Sequence, residues 1–273
     1  MAYNLKIIEY PNGEIQIRYY SVPMRGGIDS IGGFEENVFS KDEESIKDPF
    51  HNKRVREVDD FDSLVLQMES NRFRNCNRTK QMVYSYSRCA DWEWFITFTF
   101  SKDKIDRYDF DKCSFAVRNW LKNQRRFAPD LMYLVVPEQH KDGAWHFHGL
   151  LCNTGDIKFI DSGVKKKGER VYNMIKWQYG FTTASKVKDI HRVAKYIGKY
   201  ITKNICDLTP GRQRYYVSQN LPSPKVSTFF EDNISDINDF INVYLDSVGK
   251  KLSHVSSTRD KDCYTQVTYF EGI

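Results

Sequence analysis

Residues 131–152 read LMYLVVPEQHKDGAWHFHGLLC, and this stretch decides the fold. Two apolar runs, LMYLVVPE (131–138) and AWHFHGLLC (144–152), flank the short turn QHKDG. Strands joined by so short a connection pair antiparallel. Upstream, WEWFITFTFS (92–101) sets Trp94, Ile96, Phe98 and Phe100 against Phe95, Thr97, Thr99 and Ser101. That alternation predicts a third strand with one apolar and one more polar face. Between them, DFDKCSFAVRNWLKNQRRF (109–127) reads as an amphipathic helix opened by Asp109 and closed before Pro129.

Working outward, LKIIEY and EIQIRYY flank Pro11-Asn12-Gly13 and predict an N-terminal hairpin, since Asn-Gly is the strongest short turn signal. Residues 21–48 read as an irregular loop, 57–70 as a short helix and 71–90 as a basic helix without an acidic residue. Residues 153–185 read as a basic loop containing KKKGER, then a strand-like patch. KVKDIHRVAKYIGKYITKN (186–204) and the acidic SDINDFINVYLDSV read as helices. Three regions result: a hairpin with an acidic accessory segment (1–70), a catalytic domain (71–225) and an acidic C-terminal segment (226–273). The fold class is α+β, a central antiparallel sheet of about five strands flanked by helices.

The chain has 273 residues, 40% of them apolar, enough for a sizeable core. No run of apolar residues is long enough to span a membrane, and the start lacks the pattern of a secretory signal. The six cysteines are scattered without a C-x-x-C pair, which points to reduced thiols in a cytoplasm. Net charge is +5, unevenly spread. Residues 70–228 hold 29 Lys and Arg against 14 Asp and Glu; the flanks hold 12 against 22. A basic middle between acidic ends suggests a polyanionic partner, nucleic acid above all. The segments 71–88, 118–126 and 165–176, with Arg72, Arg74, Arg78, Lys165, Lys166 and Lys167, would grip phosphates. Trp92, Trp94, Trp145 or Trp177 could stack bases, although core packing is the better reading of Trp94 and Trp120.

Two constellations carry chemistry. His146-Phe147-His148 puts two imidazoles on one strand face, and Glu138 ends the neighbouring strand beside them. Mixed nitrogen and oxygen donors suit Mg²⁺ or Mn²⁺, with Zn²⁺ an alternative, and such an ion polarises a phosphoryl oxygen. His140, in the turn, competes with Glu138 for the third position. In the helix over 186–204, Ile190, Val193, Ile197 and Ile201 form the buried stripe. Arg192, Tyr196, Lys199, Tyr200 and Lys203 form another. A phenol near its ordinary pKa of ~10 is a weak nucleophile, and cations lower that barrier.

In order, Phe95-Ile-Thr-Phe-Thr-Phe100, His146-Phe-His148-Gly-Leu-Leu and Tyr196-Ile-Gly-Lys-Tyr200-Ile-Thr-Lys203 resemble the motifs of rolling-circle replication initiators of the HUH endonuclease superfamily. The two-tyrosine Tyr-x-x-Lys-Tyr-x-x-Lys run is similar to the initiators of isometric single-stranded DNA phages and of related plasmids and prophages. The resemblance spans roughly residues 92–204. It implies a site-specific single-stranded DNA nickase and strand transferase. In such an enzyme a Mg²⁺ or Mn²⁺ ion sits on the histidines, with Glu138 carried over as the third ligand. Tyr196 or Tyr200 attacks the scissile phosphate and stays linked to the 5′-phosphate, with Lys199 and Lys203 orienting that phosphate. The two tyrosines differ in azimuth, so one alone can meet the ion. Implied partners are single-stranded and origin-hairpin DNA and a host helicase and polymerase in a bacterial cytoplasm. No G-x-x-x-x-G-K-[ST] loop occurs, so ATP use is not expected. Competing readings are a relaxase or transposase of the same superfamily, a non-catalytic DNA-binding repressor, and an RNA-binding protein. The tyrosines follow the histidines, which is the initiator order.

Overall fold

The structure, a computed structural model, describes residues 2–25, 75–202, 205, 212–231, 237–260 and 265–273. The helix expected over 57–70, most of the loop expected over 21–48, Arg72, Arg74 and Lys203 lie outside the described residues.

The chain is α+β, with two antiparallel sheets in place of the one central sheet of about five strands expected from the sequence. The larger contains β3 (Trp94–Phe100), β4 (Met132–Gln139), β5 (Trp145–Cys152), β6 (Phe159–Lys166), β7 (Glu169–Met174), β8 (Gly180–Lys186) and β9 (Tyr216–Val217). Its order is β6-β7-β8-β3-β5-β4-β9. The smaller unites both ends of the chain. β1 (Ala2–Glu9) and β2 (Ile15–Arg25) form the expected hairpin, whose turn places Gly13 at φ 82°, a conformation that favours glycine. β10 (Lys225–Phe229), β11 (Leu252–Asp260) and β12 (Thr265–Gly272) complete the order β10-β1-β2-β12-β11.

Alternation in β3 is what divides the larger sheet's faces. Trp94, Ile96, Phe98 and Phe100 are buried against α2 (Phe110–Gln124), which presents Cys113, Val117, Trp120 and Leu121 at helical spacing. Asp109 caps α2 by accepting hydrogen bonds from the Asp111 and Lys112 amides. The opposite face carries Leu134, Val136, Leu150 and Cys152 and is partly covered by Val83 and Tyr86 of α1 (75–87) and by Ile197 of α3 (Ile190–Ile197). α1 therefore lies between the sheets. Its Gln81 accepts from Arg18 of β2 at 3.1 Å. Arg88, just past α1, pairs with Glu14 at 2.6 Å and Glu271 at 2.7 Å. α4 (Ile237–Ser247) covers the smaller sheet's other face through Ile241 and Leu245 against Leu5, Ile17 and Phe270.

Two local readings are corrected. The basic stretch after residue 153 is not a loop but the β6–β7 hairpin, turning at Lys167 (φ 51°) and Gly168 (φ 83°) before β8. The helix expected over 186–204 is shorter: Lys186 ends β8, α3 stops at Ile197, and Gly198–Tyr200 forms a 3₁₀ turn. Its buried side chains are Ala194 and Ile197, followed by Ile201; Ile190 and Val193 are only half-buried.

Where β8 begins, the backbone of Gly180 presses on β3. A Cβ there would collide with the Thr99 carbonyl oxygen and lie 2.8 Å from the Ser101 nitrogen. Gly180→Ala is expected to destabilise the protein by roughly 2 kcal/mol, because the obstacle is backbone and cannot rotate away. A urea titration checks this; an unchanged midpoint would contradict the close approach.

Candidate active site

Register across β8, β3, β5 and β4 sets three rows of side chains on the face that α1 and α3 partly cover. The first is Ser185, Phe95, Leu150, Leu134; the second Thr183, Thr97, His148, Val136; the third Phe181, Thr99, His146, Glu138. The His-x-His spacing thus does what the period-two pattern requires, and Glu138 stands directly across from His146.

Each histidine is anchored from β3. The Thr97 hydroxyl lies 3.1 Å from His148 Nδ1, and the Thr99 hydroxyl lies 3.3 Å from His146 Nδ1. Such contacts set ring orientation and leave Nε2 as the atom that binds outward. The sequence reading gave these threonines no role, yet their signal was present: Thr-x-Thr on the polar side of an otherwise aromatic strand. His148 Nε2 lies 2.7 Å from Glu138 Oε2. Two bare acceptors do not approach so closely, so a proton lies between them. The hydrogen bond to His148 is the largest influence on Glu138 and, with the nearby histidines, outweighs burial to hold its carboxyl below the usual range. Burial, then the neighbouring His148 and His140, lowers the pKa of His146. The site thus offers an ionised carboxylate and a neutral imidazole.

Among the described residues, no three His, Cys, Asp or Glu side chains already surround a common point. The donor set nevertheless fits a divalent ion: two imidazoles with anchored Nδ1 atoms and a carboxylate share one sheet face. A cation replacing the proton between Glu138 and His148 would use the same two atoms. His140, the rival third ligand, is turned to Asp142, with Nδ1 3.4 Å from Oδ1, while its ring centre lies 5.4 Å from that of His146.

The 3₁₀ turn delivers Tyr200 to this set. Its ring stacks flat on His148, with centroids 3.6 Å apart and planes within 8°. Tyr196 meets Tyr200 edge-on at 5.4 Å and Phe95 edge-on at 5.4 Å. The two tyrosines therefore belong to one cluster and stand differently in it. Tyr200 is half-buried beside the histidine, whereas Tyr196 is 46% exposed. Burial, a hydrogen bond with Tyr196 and the Glu138 carboxylate push Tyr200 well above an ordinary phenol. The influence of Glu138 puts the Tyr200 hydroxyl within electrostatic reach of that carboxylate.

The remaining candidates divide. Lys199 is exposed, with Nζ 5.8 Å from the centre of the Tyr196 ring. Arg192 is exposed in the first turn of α3, which Asp189 caps. Arg78 lies on the exposed side of α1, away from the cluster. Lys165, Lys166 and Lys167 are exposed at the tip of the β6–β7 hairpin, at the far edge of the sheet. The tryptophans are corrected outright: all five are buried. The indole N–H groups of Trp92, Trp120, Trp145 and Trp177 donate to the backbone carbonyls of Ser87, Lys176, Tyr108 and Thr99, respectively. They hold the core together and present no face to a base.

Residues 93–205 match the family model of the replication-associated protein ORF2. That stretch contains the anchoring threonines, Glu138, the histidine pair and both tyrosines. The match supports a role in replication and an interaction with DNA. No curated protein and no solved structure matches the chain. Among the described residues, no helix is long and apolar enough to cross a membrane.

Proposed function

We propose that the chain initiates rolling-circle replication by nicking and rejoining single-stranded origin DNA through a tyrosine, as HUH endonucleases do. The observation that carries this reading is Tyr200 stacked on His148, in a stretch similar to a replication-associated family. Glu138, His146 and His148 would hold a Mg²⁺ or Mn²⁺ ion, which when bound polarises the scissile phosphate and favours the tyrosinate.

The chain's own residues do the rest. The Tyr200 oxygen attacks phosphorus, the bond to the 3′-oxygen breaks, and a 5′-phosphotyrosine and a free 3′-hydroxyl result. Tyr196, hydrogen-bonded to Tyr200 and half-exposed, connects the departing proton to water. Lys199, beside Tyr196, offsets charge on the phosphate. Because the phosphodiester bond is exchanged for a phosphotyrosine, attack by a 3′-hydroxyl reverses the step without ATP. Tyr196 stands one turn away as a second nucleophile for the rejoining cut. The basic β6–β7 tip holds the backbone of the DNA, and a host helicase and polymerase extend the free 3′-end.

The reading is tested with a pool of random single-stranded oligonucleotides. Wild-type protein with Mn²⁺ should cleave a subset of the pool, and chelation with EDTA should stop it. Failure to cleave any member, alongside firm non-covalent binding, would favour a repressor. Thr97→Val should weaken Mn²⁺ binding by about 10–100-fold in calorimetry, because His148 loses the group that orients it. An unchanged affinity would remove Thr97 from the site.

A further inference from the structure

We infer that Phe181 forms a nucleobase-stacking subsite beside the histidine pair, filled by one base of a single-stranded DNA. The inference rests on the proposed reading of the site and adds to it a residue that no motif includes. Phe181 opens the third row: it pairs in register with Thr99, whose hydroxyl holds His146. Directly opposed residues of antiparallel strands share a face. Phe181 therefore lies on the face of Glu138, His146 and His148, two strands from His146, or about 10 Å between Cα atoms.

Its ring is 59% exposed. Thr183 of β8 and Ile160 and Asn173 of the adjoining hairpin are exposed as well, so helices do not cover this half of the face. A large apolar ring left in water next to a polar row suits a ligand with a flat face. Single-stranded nucleic acid supplies one, whereas the bases of a duplex are already stacked on each other. Charge supports the same occupant. Sheet order places Phe181 between the basic β6–β7 tip, with Lys165, Lys166 and Lys167, and the histidine pair. A backbone running from that tip to His146 crosses β8. The other aromatics do not compete for this place: the tryptophans are buried, and exposed Phe115 belongs to α2 on the opposite face.

The test uses full-length protein and a fluorescein-labelled oligothymidylate about twelve nucleotides long. By anisotropy, Phe181→Ala should weaken binding about tenfold and Phe181→Trp should restore it, with the unfolding midpoint unchanged for so exposed a position. Oligonucleotides carrying 5-iododeoxyuridine should photo-crosslink to the tryptic peptide containing Phe181, and Phe181→Ala should lose that product. Equal binding by Phe181→Ala, or crosslinks that map elsewhere, would overturn the subsite. The covalent-adduct assay separates this from the parent reading. An adduct with unchanged Phe181→Ala binding removes the subsite alone. Crosslinking at Phe181 without any adduct removes the nickase and keeps the subsite.

Discussion

Tyr200→Phe is expected to lower formation of a covalent protein–DNA adduct by at least about a thousandfold, since the variant keeps the ring on His148 and removes the attacking oxygen. Phenylalanine preserves the stacking, so non-covalent binding should hardly change. Tyr196→Phe should be milder in the first cut and severe in rejoining, because its hydroxyl serves Tyr200 before it serves as a nucleophile. The double substitution should leave no adduct. Denaturing gels with end-labelled single-stranded DNA read all three variants. Full adduct formation by Tyr200→Phe would move the first attack to Tyr196, and an adduct from the double variant would remove both tyrosines from the chemistry.

Arg88→Ala should cost the largest stability of any single change, about 3–5 kcal/mol. Arg88 is 2% exposed, bridges Glu14 and Glu271 and sits with its guanidinium carbon 4.1 Å from the centre of the Tyr10 ring. Removing it leaves two carboxylates facing each other at the junction of the sheets. A denaturant titration showing a loss under about 1 kcal/mol would contradict the assignment. The same junction predicts acid sensitivity. Burial raises the Glu14 pKa, but Arg88, with smaller help from His191 and Asn12, outweighs it and holds the carboxyl below its ordinary value of 4.5. A depressed carboxyl stabilises the fold above the ordinary value and loses that stabilisation as pH falls through the depressed one. Glu14 also lies 3.1 Å from His191 of α3, so loosening this junction reaches the helix that carries Tyr196.

What could be read from the sequence follows the range of each signal. The strands from 94 to 152 carry strict alternation or a two-sided apolar run joined by a short turn, so their pairing and the shared face of Glu138, His146 and His148 were legible. The β6–β7 hairpin was not. Its tip is exposed on both faces, so no buried side imposes alternation on Lys165–Lys167. The smaller sheet was only half legible. The Asn-Gly turn announced its hairpin, but β12 pairs with β2 across almost the whole chain, a contact with no local pattern. The tyrosine segment kept helical spacing through Tyr200, which hid the switch at Gly198 to a tighter turn. That switch, rather than the helical stripe, turns Tyr200 onto His148.

The central claim is that Tyr200 becomes covalently linked to DNA when a divalent ion is present. Peptide mapping by mass spectrometry after incubation with single-stranded DNA and Mn²⁺ tests it directly. The account predicts a nucleotide-bearing tryptic peptide modified at Tyr200, absent when EDTA is added. Cleaved DNA with every tyrosine peptide unmodified would contradict it.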